Sequence, residues 1–160
     1  MSRLPPLALM LLLVSCGGNY SAPRNLDNAC SIVSQRPTYL GAMEQAERRW
    51  GVPVHVQMAT IYQESKFVGN ARTPFRYALG IIPMGRQSSA YGYSQAIDGT
   101  WDEYRRGPGR GGARRDRIED ATDFMGWYMA ETQNRLGIST FDARHQYLPS
   151  HEGRSGYSSG

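Results

Sequence analysis

The sequence predicts a mainly α protein built as a single domain with little β structure. Three observations carry this reading. Of 160 residues, 40% are hydrophobic, and Leu, Val, Ile, Phe, Tyr and Trp are spread along the chain, enough for one core. Apolar residues recur at helical spacing in several stretches that Gly and Pro punctuate. No internal repeat is present, and little of the chain reads as strand.

The chain opens with "MSRLPPLALMLLLVSCGG": one basic residue, Arg3, an apolar run over 7–14, then small residues. The run is too short for a permanent membrane helix and has the proportions of a secretory leader. Residues 1–15 are therefore set aside, 16–26 read as a polar linker, and 27–160 as the folded body. A short helix is expected over 27–35, stopping before Pro37. A second begins with Thr38 as N-cap and places Leu40, Met43, Ala46 and Trp50 on one face. Glu44 and Arg48 stand four apart outside, and Gly51 closes it. Pro53 suits the first turn of a third helix that runs to about Ser65.

Beyond it, "NARTPFRYALGIIPMGRQSS" (70–89) reads as a long loop with Phe75, Tyr77 and Ile81 packed beneath it. "AYGYSQA" (90–96) reads as a turn or short extended piece. Asp98 or Thr100 starts a brief helix through Tyr104. Asp116 and Glu119 form a capping-box-like start to a long helix. Ile118, Ala121, Met125, Tyr128, Met129 and Leu136 make its stripe, and Gly137 ends it. A last helix over 140–148 stops at Pro149. Trp101, Trp127 and Tyr128 lie at helical spacing and are expected in the core.

The formal net charge is +4, with the arginines concentrated in "YRRGPGRGGARRDR" (104–117). A nucleic-acid patch is disfavoured there. No stacking aromatic follows Tyr104, four glycines interrupt the run, and the leader directs the chain out of the cytoplasm. The segment reads as a solvated inter-helix loop, with contact to anionic envelope material as a secondary role. Two cysteines, Cys16 and Cys30, supply no disulfide framework. Cys30, in the amphipathic "DNACSIVSQ", is expected as a small buried apolar residue.

The stretch that points to chemistry is "IYQESKF" (61–67). Glu64 falls in the last turn of the third helix, where the helix dipole is unfavourable to a carboxylate. Gln57, Thr60 and Glu64 lie within a wedge of about 60°. The plain structural explanation is the polar stripe of an amphipathic helix facing water. The stripe is otherwise neutral, however, which suits a sugar-binding groove. A helix C-terminus beside apolar groups also favours the protonated carboxyl, as a general acid near neutral pH requires. His145, His151 and Glu152 lack metal-ligand spacing, so no metal is read. Asp98, Asp102 and Glu103 are the carboxylates that could act as a second acid–base group. Their structural reading is helix capping for Asp98 and exposed helix for Glu103.

"QESKF" (63–67) followed by "AYGYSQAIDGTWDEY" (90–104) resembles the lytic transglycosylase domain of the soluble-lytic-transglycosylase type, related to goose-type lysozyme. The family's Glu-Ser pair corresponds to Glu64 and Ser65. Its Gly-x-x-Gln segment corresponds to Gly92 and Gln95, with Tyr93 between them and Thr100 following. Its last segment corresponds to "SHEG", with His151 and Glu152. The resemblance implies a lysozyme-like fold and cleavage of the β-1,4 bond between N-acetylmuramic acid and N-acetylglucosamine in peptidoglycan, without water. Glu64 would be acid and then base, and a 1,6-anhydro end would form. It implies no metal or organic cofactor. Ser65, Gln57, Thr60, Gly92, Tyr93, Gln95, His151, Glu152 and Tyr147 are the expected substrate contacts.

One departure stands out: the family's tyrosine falls on Ser150, leaving Tyr147 or Tyr157 to fill that space. Were Asp98 across the cleft, a water-using hydrolase would be the alternative. A non-catalytic peptidoglycan-binding lipoprotein is another. The 70–89 segment would then edge the cleft, where its aromatics could also offer a sugar-stacking surface. "LVSC" resembles the lipobox of bacterial lipoproteins, with Cys16 lipidated. Without Asp at position 17, the expected place is the periplasmic face of the outer membrane.

Overall fold

The computed structural model describes residues 20–146, which run α1 (Ala29–Gln35), α2 (Pro37–Trp50), α3 (Val54–Ser65), β1 (Phe75–Ala78), β2 (Ile82–Arg86), α4 (Asp98–Arg106) and α5 (Ile118–Leu136). The two strands form one antiparallel hairpin, so the architecture is mainly α, as the sequence predicts. A helical turn follows at 143–146, where the last helix was expected. The expectations for Cys16, Tyr147, Ser150, His151, Glu152 and Tyr157 lie outside the described residues.

Helix ends follow local chemistry, with some corrections. Asn28 caps α1 by accepting the Ser31 amide at 3.0 Å. Cys30 is exposed, not buried, because α1 turns Ile32 to the core instead. α2 starts one residue before Thr38, at Pro37, which has no N–H to satisfy in a first turn. Its buried face is Tyr39, Ala42, Met43 and Ala46. Leu40 and Trp50, expected on that stripe, sit half-buried at its margins. Glu44 and Arg48 meet at 4.0 Å on the exposed side, and Gly51 closes the helix in the left-handed conformation (φ 73°). Neither Asp116 nor Glu119 caps α5, whose N-cap is Arg117 without a side-chain bond. Ile97, not Asp98, is the N-cap residue of α4.

α5 is the central rod and packs most extensively along α2. Ile118, Ala121, Met125 and Met129 are buried as expected, together with Phe124 and Trp127. Trp101, Tyr104, Phe124 and Trp127 form an aromatic cluster with neighbouring ring centroids 5.2–5.9 Å apart. At its edge Asp123 of α5 accepts from Arg49 Nη1 (2.8 Å), Trp50 Nε1 (2.8 Å) and Tyr104 Oη (2.6 Å). The loop between α4 and α5 keeps most of its arginines exposed. It is fastened by buried Asp120, which accepts the Arg114 amide (3.0 Å) and Arg110 Nη2 (3.2 Å).

Residues 20–26, the described part of what reads as a linker, lie against the body. The Tyr20 carbonyl accepts from the Gly69 amide at 3.0 Å, Pro23 is buried, and the Gln35 side chain bonds both amide and carbonyl of Arg24 at 2.9 Å.

Gly126 is where α5 meets Trp50. A Cβ there would stand 2.5 Å from Trp50 Cδ1 and 3.0 Å from its Cβ, atoms close to the backbone that cannot swing aside. Helix propensity favours Ala over Gly by about 1 kcal/mol, whereas overpacking a fixed contact costs about 1–3 kcal/mol. Gly126→Ala is therefore expected to lose up to about 2 kcal/mol on balance. Chemical denaturation with circular dichroism checks the sign, and a gain in stability would contradict this packing.

Candidate active site

α3 carries Glu64 one residue before its end, half-buried. No basic residue sits in that last turn, and the ammonium of Lys66 lies over the Tyr62 ring at 3.8 Å. The chain then bends sharply. Lys66 and Phe67 both adopt positive φ (52° and 61°), a conformation that is a real outlier for a bulky residue. Phe67 is held there by burial and by stacking on Tyr39 at 6.0 Å. Such strain costs of order 1–3 kcal/mol per residue and persists where surrounding contacts over-determine it.

The second motif folds as a tight turn closed by the Tyr91–Ala96 bridge, as the turn reading anticipated. Gly92 has φ 81°, and a Cβ there would come within 2.1 Å of the Arg115 carbonyl oxygen. That same carbonyl accepts the Tyr93 amide at 3.2 Å. Gln95 is a third strained non-glycine (φ 47°). Its Nε2 donates to the carbonyls of Gly92 (2.7 Å) and Ala71 (3.0 Å). The Ala71 carbonyl also accepts the Gly92 amide at 3.0 Å. The turn that follows Glu64 and Ser65 is therefore stitched directly to the Gly-x-x-Gln turn. Of five non-glycine residues with positive φ among the described residues, three lie in these two motifs.

Between the motifs sits an aromatic pair. Tyr93 is buried and shares a 2.8 Å hydrogen bond with Tyr39 Oη. Burial first, then the Tyr39 hydroxyl, pushes its pKa far above the ordinary tyrosine value, so it stays neutral. Gly69 makes room for it, since a Cβ there would meet the Tyr93 ring at 2.8 Å. Sequence reasoning missed Tyr39, Phe67, Ala71 and Arg115 as parts of this junction. Two of them act through main-chain carbonyls, for which side-chain identity gives no signal.

Several expected contacts have other duties. Gln57 is 0% exposed, so it cannot line a groove; its Nε2 donates to the carbonyls of Met43 and Val52, both at 2.9 Å, and joins α2 to α3. Thr60 is buried with its hydroxyl on the Val56 carbonyl. Both sit where α3 faces the core, an orientation that a polar stripe read on the sequence conceals. Ser65 is buried and donates to the Ile61 carbonyl at 3.2 Å. Tyr93 is a core residue, and Gly92 is needed for close backbone approach. Asp98 is exposed (65% of its side chain) and paired with Arg115 Nη2 at 2.8 Å, while Asp102 pairs with Arg105 at 3.6 Å. His145 pairs with Asp142 at 2.6 Å.

A mainly helical fold with one hairpin among the described residues, in which the segment after the glutamate-bearing helix is tied to a glycine–glutamine turn, accords with a lysozyme-like transglycosylase domain. The chain belongs to the transglycosylase SLT domain family, whose family model matches residues 5–160. Neither the curated proteins nor the solved structures yield a match to it.

Two predictions test this junction. Gly92→Ala meets both the positive φ and the Arg115 carbonyl, and is expected to cost roughly 3 kcal/mol, measured by denaturant unfolding. Asp116 closes the other side, where its carboxylate accepts from Arg114 (2.9 Å), Tyr20 (3.2 Å) and Tyr91 (3.2 Å). Burial alone would raise its pKa, but the Arg114 bond and charge and the two hydroxyls together outweigh it and hold it below the ordinary Asp value of 3.8. A depressed folded pKa means stabilisation that is present above 3.8 and lost as pH falls through the lower folded value. Asp116→Asn is expected to lose about 2 kcal/mol at neutral pH and to flatten the acid limb of the stability–pH curve. An unchanged limb would mean that the carboxylate does not titrate in this network.

Proposed function

We propose that the protein is a lytic transglycosylase that cleaves the β-1,4 bond between N-acetylmuramic acid and N-acetylglucosamine in peptidoglycan, with Glu64 as its one acid–base group. The observation that carries this reading is the stitching of the strained segment that follows Glu64 and Ser65 to the Gly92–Gln95 turn through Ala71. In the proposed reaction the Glu64 carboxyl gives its proton to the glycosidic oxygen as the bond from muramoyl C1 breaks. The resulting carboxylate takes the proton of the C6 hydroxyl while O6 closes on C1, which leaves a 1,6-anhydro end. The sugar supplies its own nucleophile, so no second carboxylate is required. Ser65 sits next to the acid and Gln95 faces the same junction, which supports positioning roles for both. The water-using alternative through Asp98 has less support, because that carboxylate is engaged by Arg115 at the start of α4.

The leader and its "LVSC" junction support delivery to the bacterial envelope, with Cys16 as the lipid-bearing residue and the periplasmic face of the outer membrane as its place.

Digestion of purified peptidoglycan by the full chain in detergent, beside Glu64→Gln, is the direct test. Mass spectrometry is expected to find anhydro-muropeptides, reduced roughly 10²–10⁴-fold in the variant. Reducing-end products that disappear with Asp98→Asn would establish a hydrolase instead. A folded chain that binds peptidoglycan without releasing products would be a binding protein.

A further inference from the structure

Eight large apolar side chains are exposed among the described residues, and six of them stand on the β1–β2 hairpin: Phe75, Tyr77, Leu79, Ile81, Ile82 and Met84. The sequence reading packed Phe75, Tyr77 and Ile81 against the body, and the structure overturns it. Leu79 is 90% and Ile81 79% exposed. Both faces of the finger and its tip are apolar, and β1 and β2 chiefly contact each other. An isolated two-stranded ribbon is marginal in water, and an exposed apolar patch this continuous marks an interaction surface.

The tip shows that its apolar character is not incidental to folding. Leu79 and Gly80 both have positive φ (52° and 75°), and the Ile81 amide closes the turn on the Ala78 carbonyl at 3.2 Å. Hairpin turns with two positive φ values favour Asn or Asp before Gly. Here a leucine occupies the strained position and projects into water, which serves neither the turn nor solubility.

Charge and chain path identify the occupant. From residue 65 to 97 the sequence contains no Asp or Glu and four cations, Lys66, Arg72, Arg76 and Arg86. Along the finger, aliphatic Leu79 and Ile81 come first, then Tyr77 paired with Pro83, then Phe75 paired with Arg86, whose guanidinium lies 4.5 Å over the Phe75 ring. Aliphatic tip, aromatic collar and cationic base reproduce the order of an anionic bilayer from acyl chains to phosphates. A protein groove would receive one face of the hairpin, whereas a lipid interface surrounds it. Leu79 stands about 7 Å beyond the Tyr77 rung at 3.3 Å per residue, within the roughly 5–10 Å depth of interfacial insertion. Tyr20 is bonded to Gly69, six residues before β1. Four residues from Tyr20 back to Cys16 reach at most about 14 Å, so a lipid there would hold Tyr20 and the bonded Gly69 within about that distance of the bilayer. Only this tether depends on a lipid at Cys16.

We propose that the β1–β2 hairpin is a membrane-interface finger that inserts Leu79 and Ile81 among the headgroups of an anionic bilayer. The test places a reporter at the tip of the full chain, Ile81→Trp, and mixes it with vesicles of phosphatidylethanolamine and phosphatidylglycerol carrying brominated acyl chains. Relative to the wild-type background, an added blue-shifted emission quenched severalfold by the bromines is expected, with little of either on phosphatidylcholine vesicles. Leu79→Asn in the same chain is expected to keep or raise the melting temperature, since it relieves the turn, and to reduce quenching severalfold. Arg76→Gln with Arg86→Gln should reduce it as well. If the effect survives Cys16→Ser, the finger acts without the anchor and the inference holds whether or not Cys16 is lipidated. A reporter that stays water-exposed on vesicles, equal quenching in Leu79→Asn, or an emission change produced only by peptidoglycan fragments would overturn it.

Discussion

Asp123 is the point on which the arrangement turns. One carboxylate in the second turn of α5 accepts from Arg49 and Trp50 at the end of α2 and from Tyr104 of α4. Hydrogen bonds to a charged group contribute about 1.5–3 kcal/mol each, and loss of the acceptor would strand the Trp50 and Tyr104 donors, while Arg49 stays half in water and on the Pro108 carbonyl. The consequence runs along the chain. With the last turn of α2 fixed, Gly51 reverses the backbone, Gln57 locks the start of α3 to the carbonyls of Met43 and Val52, and the direction of α3 decides where Glu64 emerges. A surface that could be mistaken for an ordinary ion pair thus sets the placement of the acid three turns away.

At the far end of α3 the structure concentrates strain. Lys66, Phe67 and Gln95 each hold a conformation that a short peptide would abandon. They are retained because Phe67 is wedged against Tyr39, Tyr39 is bonded to Tyr93, and the turn carrying Tyr93 is sewn to Ala71 and Arg115. The result is a rigid mount for one carboxyl, built from core aromatics and main-chain carbonyls.

How much of this was legible beforehand depended on whether information resides in side-chain identity. Helix ends marked by Gly51 and Gly137 and the long stripe of α5 were readable, because a left-handed cap or a buried methyl stripe leaves a residue-type trace. Glu64, Ser65, Gly92 and Gln95 were recognised as a set in order. Their tertiary roles were not readable. Gln57 and Thr60 have the polarity of a groove but face the core, where backbone carbonyls accept from Gln57 Nε2 and the Thr60 hydroxyl. The register of α2 slipped toward Leu40 because Tyr39 has a hydroxyl that only a distant partner, Tyr93, makes tolerable in the core. Asp116 looked like a cap and instead collects one guanidinium and two hydroxyls that arrive from 2, 25 and 96 residues away. The hairpin was read as a packed loop because apolar residues are ordinarily inside.

The hydrogen bonds of the junction also restrict the polarity of whatever it receives. Both amide hydrogens of Gln95 are directed at main-chain carbonyls, and the Ser65 hydroxyl hydrogen is directed at Ile61. Ser65 is buried, so what the junction has left to offer is the lone pairs of half-buried Gln95 Oε1. A ligand seated against them must therefore arrive hydrogen first, through a hydroxyl or an amide N–H. Carbonyl, ether or phosphate oxygens presented at the same spot would meet oxygen with oxygen.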